Sequence, residues 1–499
     1  MTSTTDQAPK RPASGPPGRT VRDLTTGPIG STLILFALPV MGSNILQSLN
    51  GSANAVWVSH AIGETALAAI SNANNILFLM LGAVFGVSMS ANLMIAQAIG
   101  AHDQALAKKV VGTSTAFFAV LSLSVGALGY WLTPMILDAM GTPGDARQEA
   151  IDYLRVIFLA MPFMYFFSFM MMAQRGTGDS RSPFWFSLFA VSMDITLNPI
   201  LIMGIGPFPR LGVAGSAAST LISQTVTLAL MIAILYRKRS VLVLRPSEWG
   251  LLKPDLAIVR SLVFKGLPMA LQMLVVSGAA VVMISFVNRY GSHTAAAYGA
   301  AIQVWTYVQM PAMALGAAVS SMAAQNVGAG RMDRVDKVAR VGSLYALACT
   351  AGPVVVIYAL EPWIMRAFLP ATSPSLPIAL HINSFALWGF IPLGIAFVLF
   401  GVVRATGAVV APLAIMFISM WLVRIPFTDL MQTRLGADAV WWSFPLGSAM
   451  SFALALAYYR WGGWRKARLM EATPRGQAPD LGQATPDMVE DAEVAGQEA

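Results

Sequence analysis

The sequence predicts an all-α membrane protein in which twelve transmembrane helices form two pseudo-symmetric bundles of six. Three observations predict this fold class: an apolar composition, a repeated unit that is almost half the chain in length, and a series of long apolar runs separated by short polar segments. The composition indicates that the chain lies in lipid, the repeat indicates the number of bundles, and the runs indicate the number of helices.

The composition is that of a chain that lies within a lipid bilayer. Hydrophobic residues make up 56% of the 499 residues and charged residues only 11%, and the mean hydropathy is +0.64. A soluble domain has about 25% charged residues, so this chain has too little polar surface to be covered by water. The spans are predicted to be helices because lipid offers no hydrogen-bond partner to an open strand edge.

The chain repeats itself at a long interval. Pro268 follows Pro39 by 229 residues, and Arg404 follows Arg175 by the same interval. The segments AQAIGA around Gln97 and AQNVGAG around Gln325 recur at nearly the same offset. A period this long indicates a duplicated half-protein rather than a solenoid. Two halves of the same orientation form a parallel repeat about an axis along the membrane normal, so we expect a binding site in the cleft between them.

Twelve apolar runs are long enough to cross a bilayer, which takes about 20 helical residues. They occupy residues 30–57, 65–97, 108–136, 149–174, 182–204, 212–236, 262–287, 294–325, 337–365, 378–404, 411–430 and 437–461. These runs divide the chain into five parts: an N-terminal tail (1–26), a first lobe (27–236), a linker (237–261), a second lobe (262–461) and a C-terminal tail (462–499).

Basic residues indicate the orientation of the spans. With both termini in the cytoplasm, most of the 32 Lys and Arg residues lie at the cytoplasmic face, as the positive-inside rule requires. The net charge of +8 is therefore a topology signal and not a nucleic-acid-binding surface. The N-terminal tail has no apolar run followed by a cleavage site, so it is interpreted as a cytoplasmic tail. The acidic end beyond Met470 is predicted to be disordered.

Several kinds of chemistry have no residues to support them. The single cysteine, Cys349, lies in an apolar run, where we expect a small buried side chain. The four histidines are scattered near the ends of spans, so no metal site is predicted. The sequence has no nucleotide-binding motif and no nucleophile with a base at a recognisable spacing. We therefore predict that the protein is not an enzyme and has no cofactor.

One acidic residue, Asp194, lies in the middle of a span of the first lobe. A carboxylate is costly inside a bilayer, and residues of this kind usually bind a proton or an ion. The second lobe offers no replacement, because its first, second and fourth spans contain no Asp or Glu. Asp194 is therefore the candidate for an ion-coupled step. The alternative is a structural acid whose hydrogen bonds are satisfied by nearby amides.

Several motifs in a fixed order resemble a known family. They include ALPVMGSNILQ, AQAIGA, QRGTGDSRSP, LNPILIMG and GVAGSAAST in the first half, and GLPMALQ, GAAVSSMAAQNVGAGR and RATG in the second. Over about residues 30–460 the pattern resembles the multidrug and toxic compound extrusion (MATE) family. The resemblance implies a monomeric secondary antiporter in a bacterial cytoplasmic membrane. Such an antiporter exports amphipathic, often cationic compounds in exchange for protons or sodium by alternating access.

Two other classes of function stay open. A lipid-linked precursor flippase or polysaccharide exporter of the related superfamily would have several basic residues in its cleft, and the first two spans of each lobe have no Arg or Lys at their middle. An intramembrane enzyme or an uncoupled receptor is the third class.

The resemblance also suggests which residues couple transport to an ion. Similar family members have an Asp on the first helix and an Asn and an Asp four residues apart on the fifth, and this chain has Asn54, Asp194 and Asn198 there. Residues four apart share a helix face, so the displaced carboxylate stays in the same pocket. Asn54, Asn198 and Thr220 would supply neutral hydrogen bonds. A proton is favoured over sodium, because a hard cation needs several oxygen ligands and two carboxylates are absent.

Candidate cargo-binding residues lie in the first and fourth spans. Flexible methionines suit a wall that adapts to different ligands, and lipid-facing or core packing is the alternative. These candidates are Gln47, Met161, Met164, Tyr165 and Met171.

Two further features have a functional and a structural interpretation. Pro39 lies within the first span, where it is a candidate hinge or a simple packing kink. Arg175, Asp179 and Arg181 are predicted to form a cytoplasmic turn, with gating ion pairs as the alternative.

Overall fold

The backbone is helical wherever the sequence has a long apolar run, because a helix satisfies its own N–H and C=O groups within the bilayer. The computed structural model describes residues 23–469, except residues 62–63 and 140–143. The predicted disorder beyond Met470 and most of the predicted N-terminal tail therefore lie outside the described residues.

In the described residues, six helices form the first half of the chain. Each overlaps a predicted run and extends it at one or both ends, because polar residues at the membrane surface continue the helix. They are α1 (Ile29–Ala61), α2 (Glu64–Gly100), α3 (Gln104–Ala139), α4 (Gly144–Gly176), α5 (Arg181–Met203) and α6 (Val213–Arg237).

Six more helices form the second half of the described chain, and each corresponds to one helix of the first half. α10 contains a 3-10 turn at Leu387–Gly389, and α11 contains a π-helical turn at Ile418–Arg424. The six are α7 (Leu256–Asn288), α8 (Ser292–Gly328), α9 (Met332–Arg366), α10 (Ser375–Ala405), α11 (Val410–Leu435) and α12 (Asp438–Trp461).

Eleven helices of the described chain are long and apolar enough to cross a membrane, and α8 is the one outside this group. α8 has the length of its neighbours, but it is rich in Ala, Gly and polar residues. Most of its second half, from Ala312 to Asn326, is buried against protein. Its lower hydropathy therefore reflects helix packing, where small residues allow close contact.

The connection between the halves, residues 238–255, is shorter than predicted because Asp255 caps α7. Lys109 Nζ of α3 lies 2.6 Å from Asp255 Oδ2, and Lys108 forms an ion pair with Glu248. The connection is therefore attached to the first turns of α3. The hydrogen bond from Lys109 lowers the pKa of the Asp255 carboxyl, which favours its charged form at neutral pH.

The two halves meet along α2, which packs against α7 and α8. Near the ends of these helices, Gly100 of α2 lies against the backbone of Gln325, and Gly328 of α8 lies against the backbone of Gln97. A Cβ atom at either glycine would overlap the opposing carbonyl oxygen. The internal repeat relates the two contacts, and both require glycine.

Two glutamine side chains cross the same contact. Nε2 of Gln97 donates to the carbonyl of Ala405 at 2.7 Å, and Nε2 of Gln325 donates to the carbonyl of Gly176 at 2.9 Å. Oε1 of Gln325 accepts from the backbone N–H of Leu24 at 3.0 Å. The segment at Leu24, which the sequence places in a tail, is therefore buried against the end of α8.

We predict that Gly100→Val and Gly328→Val each lower the free energy of unfolding by about 1–3 kcal/mol, because the added side chain pushes α2 and α8 apart. Thermal unfolding of the purified protein in detergent measures this effect. Gly299→Val is the matched control, since Gly299 lies on α8 with open space beside it. A Gly100→Val protein as stable as the parent would contradict the predicted contact.

Candidate functional site

Asp194 lies on α5 with 2% of its surface exposed. Its carboxylate accepts hydrogen bonds from Asn50 Nδ2 at 2.9 Å, Asn54 Nδ2 at 3.4 Å and Ser219 Oγ at 2.6 Å. Thr220 Oγ1 lies 3.4 Å from each carboxylate oxygen. In the part of the chain described, no Arg or Lys binds this group, so a buried acid is held by neutral donors alone.

Helical spacing brings these donors together. Asn50 and Asn54 are four residues apart on α1, and Asp194 and Asn198 are four residues apart on α5, so each pair shares one helix face. Asn198 Nδ2 donates to Asn54 Oδ1 and, at 3.3 Å, to the hydroxyl of Ser216 on α6. The network therefore joins α1, α5 and α6.

The two α6 hydroxyls each have a second acceptor. Ser219 Oγ lies 2.8 Å from the carbonyl of Ser216, and Thr220 Oγ1 lies 3.4 Å from the same oxygen. Each hydroxyl can therefore donate either to Asp194 or to its own helix. This gives the site two hydrogen-bond arrangements, one suited to an ionised carboxylate and one suited to a protonated carboxyl group.

All four predicted coupling residues, Asn54, Asp194, Asn198 and Thr220, lie in this network. Two donors in the network, Asn50 and Ser219, were not predicted from the sequence. Asn50 precedes Asn54 by one helical turn, so the spacing rule used for α5 would have found it. Ser219 had no such signal, because it lies in a small-residue stretch that is equally typical of helix packing.

A cavity of about 560 Å³ lies beside this network. Asn50, Asn54 and Thr220 belong both to the network and to the cavity wall, so Asp194 lies directly behind the lining. All the lining residues come from α1, α2, α4, α5 and α6. The cavity is therefore inside the first half, and not in the cleft between halves that the repeat led us to expect.

In the second half, aromatic side chains pack between the helices that correspond to the cavity-lining helices of the first half. The helices α8, α10 and α12 correspond to α2, α4 and α6, and they contribute the rings of an aromatic cluster. The centroids of Trp305 and Phe444 are 4.7 Å apart, and those of Tyr298 and Trp305 are 5.7 Å apart. These rings bury a large apolar area where the first half has a cavity. The aromatic cluster consists of Tyr298, Trp305, Phe390, Trp441 and Phe444.

Three of the five predicted cargo-binding residues, Gln47, Met164 and Met171, line the cavity. Met161 and Tyr165 do not: 1% and 2% of their surfaces are exposed, and the Tyr165 hydroxyl donates to the carbonyl of Met80 on α2 at 3.4 Å. These two side chains are buried against neighbouring helices instead.

Pro39 lies within α1, ten residues after its first residue. The Ser43 hydroxyl donates to the Pro39 carbonyl at 3.0 Å. Proline removes one backbone hydrogen bond from the helix, so α1 is locally weakened at this point. The role of Pro39 as a hinge stays a prediction.

Two other predictions from the sequence are wrong. Arg175, predicted in a surface turn, is 6% exposed and lines the cavity, because α4 continues to Gly176 and keeps this side chain within the bundle. Cys349, predicted to be buried, is exposed on α9, where the apolar run faces outward. Among the described residues no group of three or more His, Cys, Asp or Glu side chains could hold a metal ion.

A bundle of membrane-spanning helices with an internal cavity and a buried acid beside it defines a membrane transport protein. The family model MatE matches residues 39–200 and 268–429, two segments offset by the same 229 residues as the landmarks in the sequence. The chain belongs to the MATE family of multidrug efflux transporters. The predicted family and the predicted fold class are therefore confirmed.

Relatives match almost the whole chain. It is 34% identical over 440 residues to the probable multidrug resistance protein YoeA of Bacillus subtilis, covering 88% of this chain and 95% of YoeA. It is 30% identical over 453 residues to YpnP of the same organism, covering 90% and 98%. A solved structure of an outward-facing multidrug resistance MATE family transporter has a TM-score of 0.80 at 20% identity, covering 88% and 96%.

We predict that Ser219→Ala lowers the free energy of unfolding by about 1–3 kcal/mol, because it removes the donor nearest to the buried Asp194 carboxyl group. Thermal unfolding in detergent measures the change. Ser187→Ala on α5 is the control, since the Ser187 hydroxyl is buried without a partner in the described chain. Equal midpoints for the two variants would show that the Ser219 bond does not stabilise the site.

Proposed function

We propose that this protein is a secondary antiporter that exports amphipathic compounds in exchange for protons by alternating access. The observation that carries the proposal is Asp194, a buried carboxylate that neutral donors hold beside a cavity of ligand size. Membership of the MATE family and the multidrug resistance names of the relatives support the same class of function.

A proton on Asp194 changes the bonds that hold α1 to α5. The ionised carboxylate accepts from Asn50 and Asn54 of α1 and from two α6 hydroxyls. The protonated group has no net charge and becomes a donor itself, while the α6 hydroxyls turn to the Ser216 carbonyl. Protonation therefore weakens the attachment of α1, since hydrogen bonds to a charged acceptor are about twice as strong as neutral ones.

Pro39 is the proposed hinge for the resulting movement. The part of α1 beyond Pro39 carries the asparagines that bind Asp194 and also lines the cavity. A bend at this point changes the shape of the cavity and the coupling bonds together. Proton binding and cargo binding then exclude one another without sharing the same atoms.

Sodium is the alternative coupling ion. The amide oxygens of Asn50 and Asn198 are buried and have no partner among the described residues, and sodium binds oxygen ligands of this kind. A proton remains the first candidate, because two carboxylates that similar family members have are absent from this network.

The rest of the proposal follows the sequence analysis. The protein works as a monomer in a bacterial cytoplasmic membrane with both termini in the cytoplasm, and the lobes 27–236 and 262–461 move relative to each other across the linker 237–261. It needs no cofactor besides the coupling ion. One proton that falls through about 150 mV supplies about 3.5 kcal/mol, which supports a gradient of about 300-fold for a neutral cargo.

A flippase for lipid-linked precursors, or a polysaccharide exporter of the related superfamily, is the second candidate. A pyrophosphate group calls for a cluster of basic residues. Among the described residues, the lining of the cavity has one basic residue, Arg175, which favours the export of smaller amphipathic compounds.

We predict that Asp194→Asn abolishes proton-coupled export. Inverted membrane vesicles are acidified by respiration, and release of protons on addition of an amphipathic substrate is followed with a pH-sensitive dye. The parent protein should release protons with and without sodium, whereas Asp194→Asn should not. Asp152→Asn is the control, since Asp152 is an exposed acid of α4 that bonds only to Gln148 in the described chain.

Either of two results would overturn this mechanism. Proton release by Asp194→Asn at the rate of the parent would show that another group couples transport. Release that occurs in the parent only when sodium is present would assign the coupling to sodium instead.

A further inference from the structure

The cavity wall of the first half has one charged side chain in the described part of the chain, and that side chain is a cation. Arg175 is charged, and the remaining lining residues are apolar or neutral polar. The apolar surface comes from residues such as Phe85, Met164 and Phe167. Asp194 lies behind the wall, so its charge is not part of the surface that a ligand meets.

Arg175 has no charged or oxygen partner within the described residues. Nη1 contacts the Sδ of Met172 at 3.9 Å, which is a weak acceptor, and Nε has no partner. The nearest acid along the chain, Asp179, accepts from the backbone N–H groups of Arg181 and Ser182, each at 3.0 Å. A guanidinium that is 6% exposed and unpaired at a cavity wall needs an anion to compensate its charge.

The internal repeat supplies a comparison inside the same chain. Arg404 is the counterpart of Arg175, and its Nη2 donates to Oε1 of Gln272 at 3.0 Å. The position that corresponds to Gln272 in the first half is Ser43, whose hydroxyl is already bonded to a carbonyl of its own helix. The first-half arginine has therefore lost the amide partner of its counterpart, and it is the one that faces the cavity.

The helix dipole of α4 does not explain Arg175. An arginine in the last turn of a helix is favoured by the partial negative charge of the carbonyls there. That gain is small beside the cost of taking a guanidinium out of water, and none of these carbonyls accepts a hydrogen bond from Arg175 in the described structure.

We propose that Arg175 is an anion subsite for the cargo, which binds the carboxylate or phosphate group of an amphipathic molecule whose apolar body lies against the cavity wall. This inference rests on the proposed export function, and it changes the expected cargo from cations to acids and zwitterions. The planar guanidinium can bind a carboxylate through two parallel hydrogen bonds.

A matched pair of ligands tests the subsite. The probes are a fluorescent zwitterionic quinolone carboxylic acid and its methyl ester, which has the same ring system without the carboxylate. Binding to the purified full-length protein in zwitterionic lipid nanodiscs is measured by fluorescence anisotropy. The parent should bind the acid about tenfold or more tightly than the ester. Arg175→Gln should bring the ratio close to one while ester affinity is kept.

Two further variants separate recognition from folding. Arg175→Lys keeps the charge without the planar fork, so it should retain part of the preference for the acid. Arg404→Gln removes the counterpart arginine, which lies away from the cavity, and should leave the ratio unchanged. Ester binding by each variant shows that its cavity is folded.

The proposal is overturned if the parent does not prefer the acid, or if Arg175→Gln keeps the preference. Equilibrium binding needs no proton gradient, so this result is independent of the Asp194 experiment that tests export. Nanodiscs of phosphatidylglycerol identify the natural anion. Weaker acid binding there, relative to zwitterionic nanodiscs, shows that a lipid phosphate fills the subsite, and unchanged acid binding assigns the subsite to soluble cargo.

Discussion

The backbone contact between α2 and α8 is the constraint on which the arrangement of the two halves depends. At Gly100 and Gly328 the helices approach so closely that neither position can carry a Cβ atom. Gln325 completes the contact, because its amide bonds α4 through one atom and the N-terminal segment through the other. Any movement that separates the halves at this end must break these bonds together. The two halves are thereby held together at this end, and the cavity lies within the first half.

The two halves have diverged from one pattern into two kinds of core. Asp194 and Asn198 on α5 correspond to Val423 and Phe427 on α11 at the interval of 229 residues. The second half fills its interior with the aromatic cluster, whose rings bury a large apolar area. The first half keeps buried amides, hydroxyls and a carboxylate, which are favourable only when they bond to each other. Its cavity adds to that cost, because unfilled space forfeits packing contacts.

The sequence predicted the elements of this fold better than the details of its site. Helix positions and the repeat could be predicted because lipid leaves a chain few alternatives. The hydrogen-bond network that we propose for coupling could largely be predicted, since the four-residue spacing of Asp194 and Asn198 places both on one face whatever the helix packs against. The places of Arg175 in the cavity wall and of Ser219 beside Asp194 could not be predicted. Their roles depend on how far α4 extends and how α6 is rotated about its axis, and packing between helices determines both.

The positions of Arg175 and Asp194 limit how cargo and proton can influence each other. α4 ends and α5 begins at the same face of the bundle, and Asp194 lies 13 residues after Arg181, so the backbone at Asp194 is about 20 Å along the helix axis from the face where Arg175 lies. At that distance, with an effective dielectric constant of about 20, the direct interaction of the two charges is about 0.8 kcal/mol. A proton that falls through about 150 mV carries about 3.5 kcal/mol, so direct attraction accounts for a minor part of tight coupling. The larger part has to pass through the shape of the first half, and α1 is the helix that both lines the cavity and bonds to Asp194.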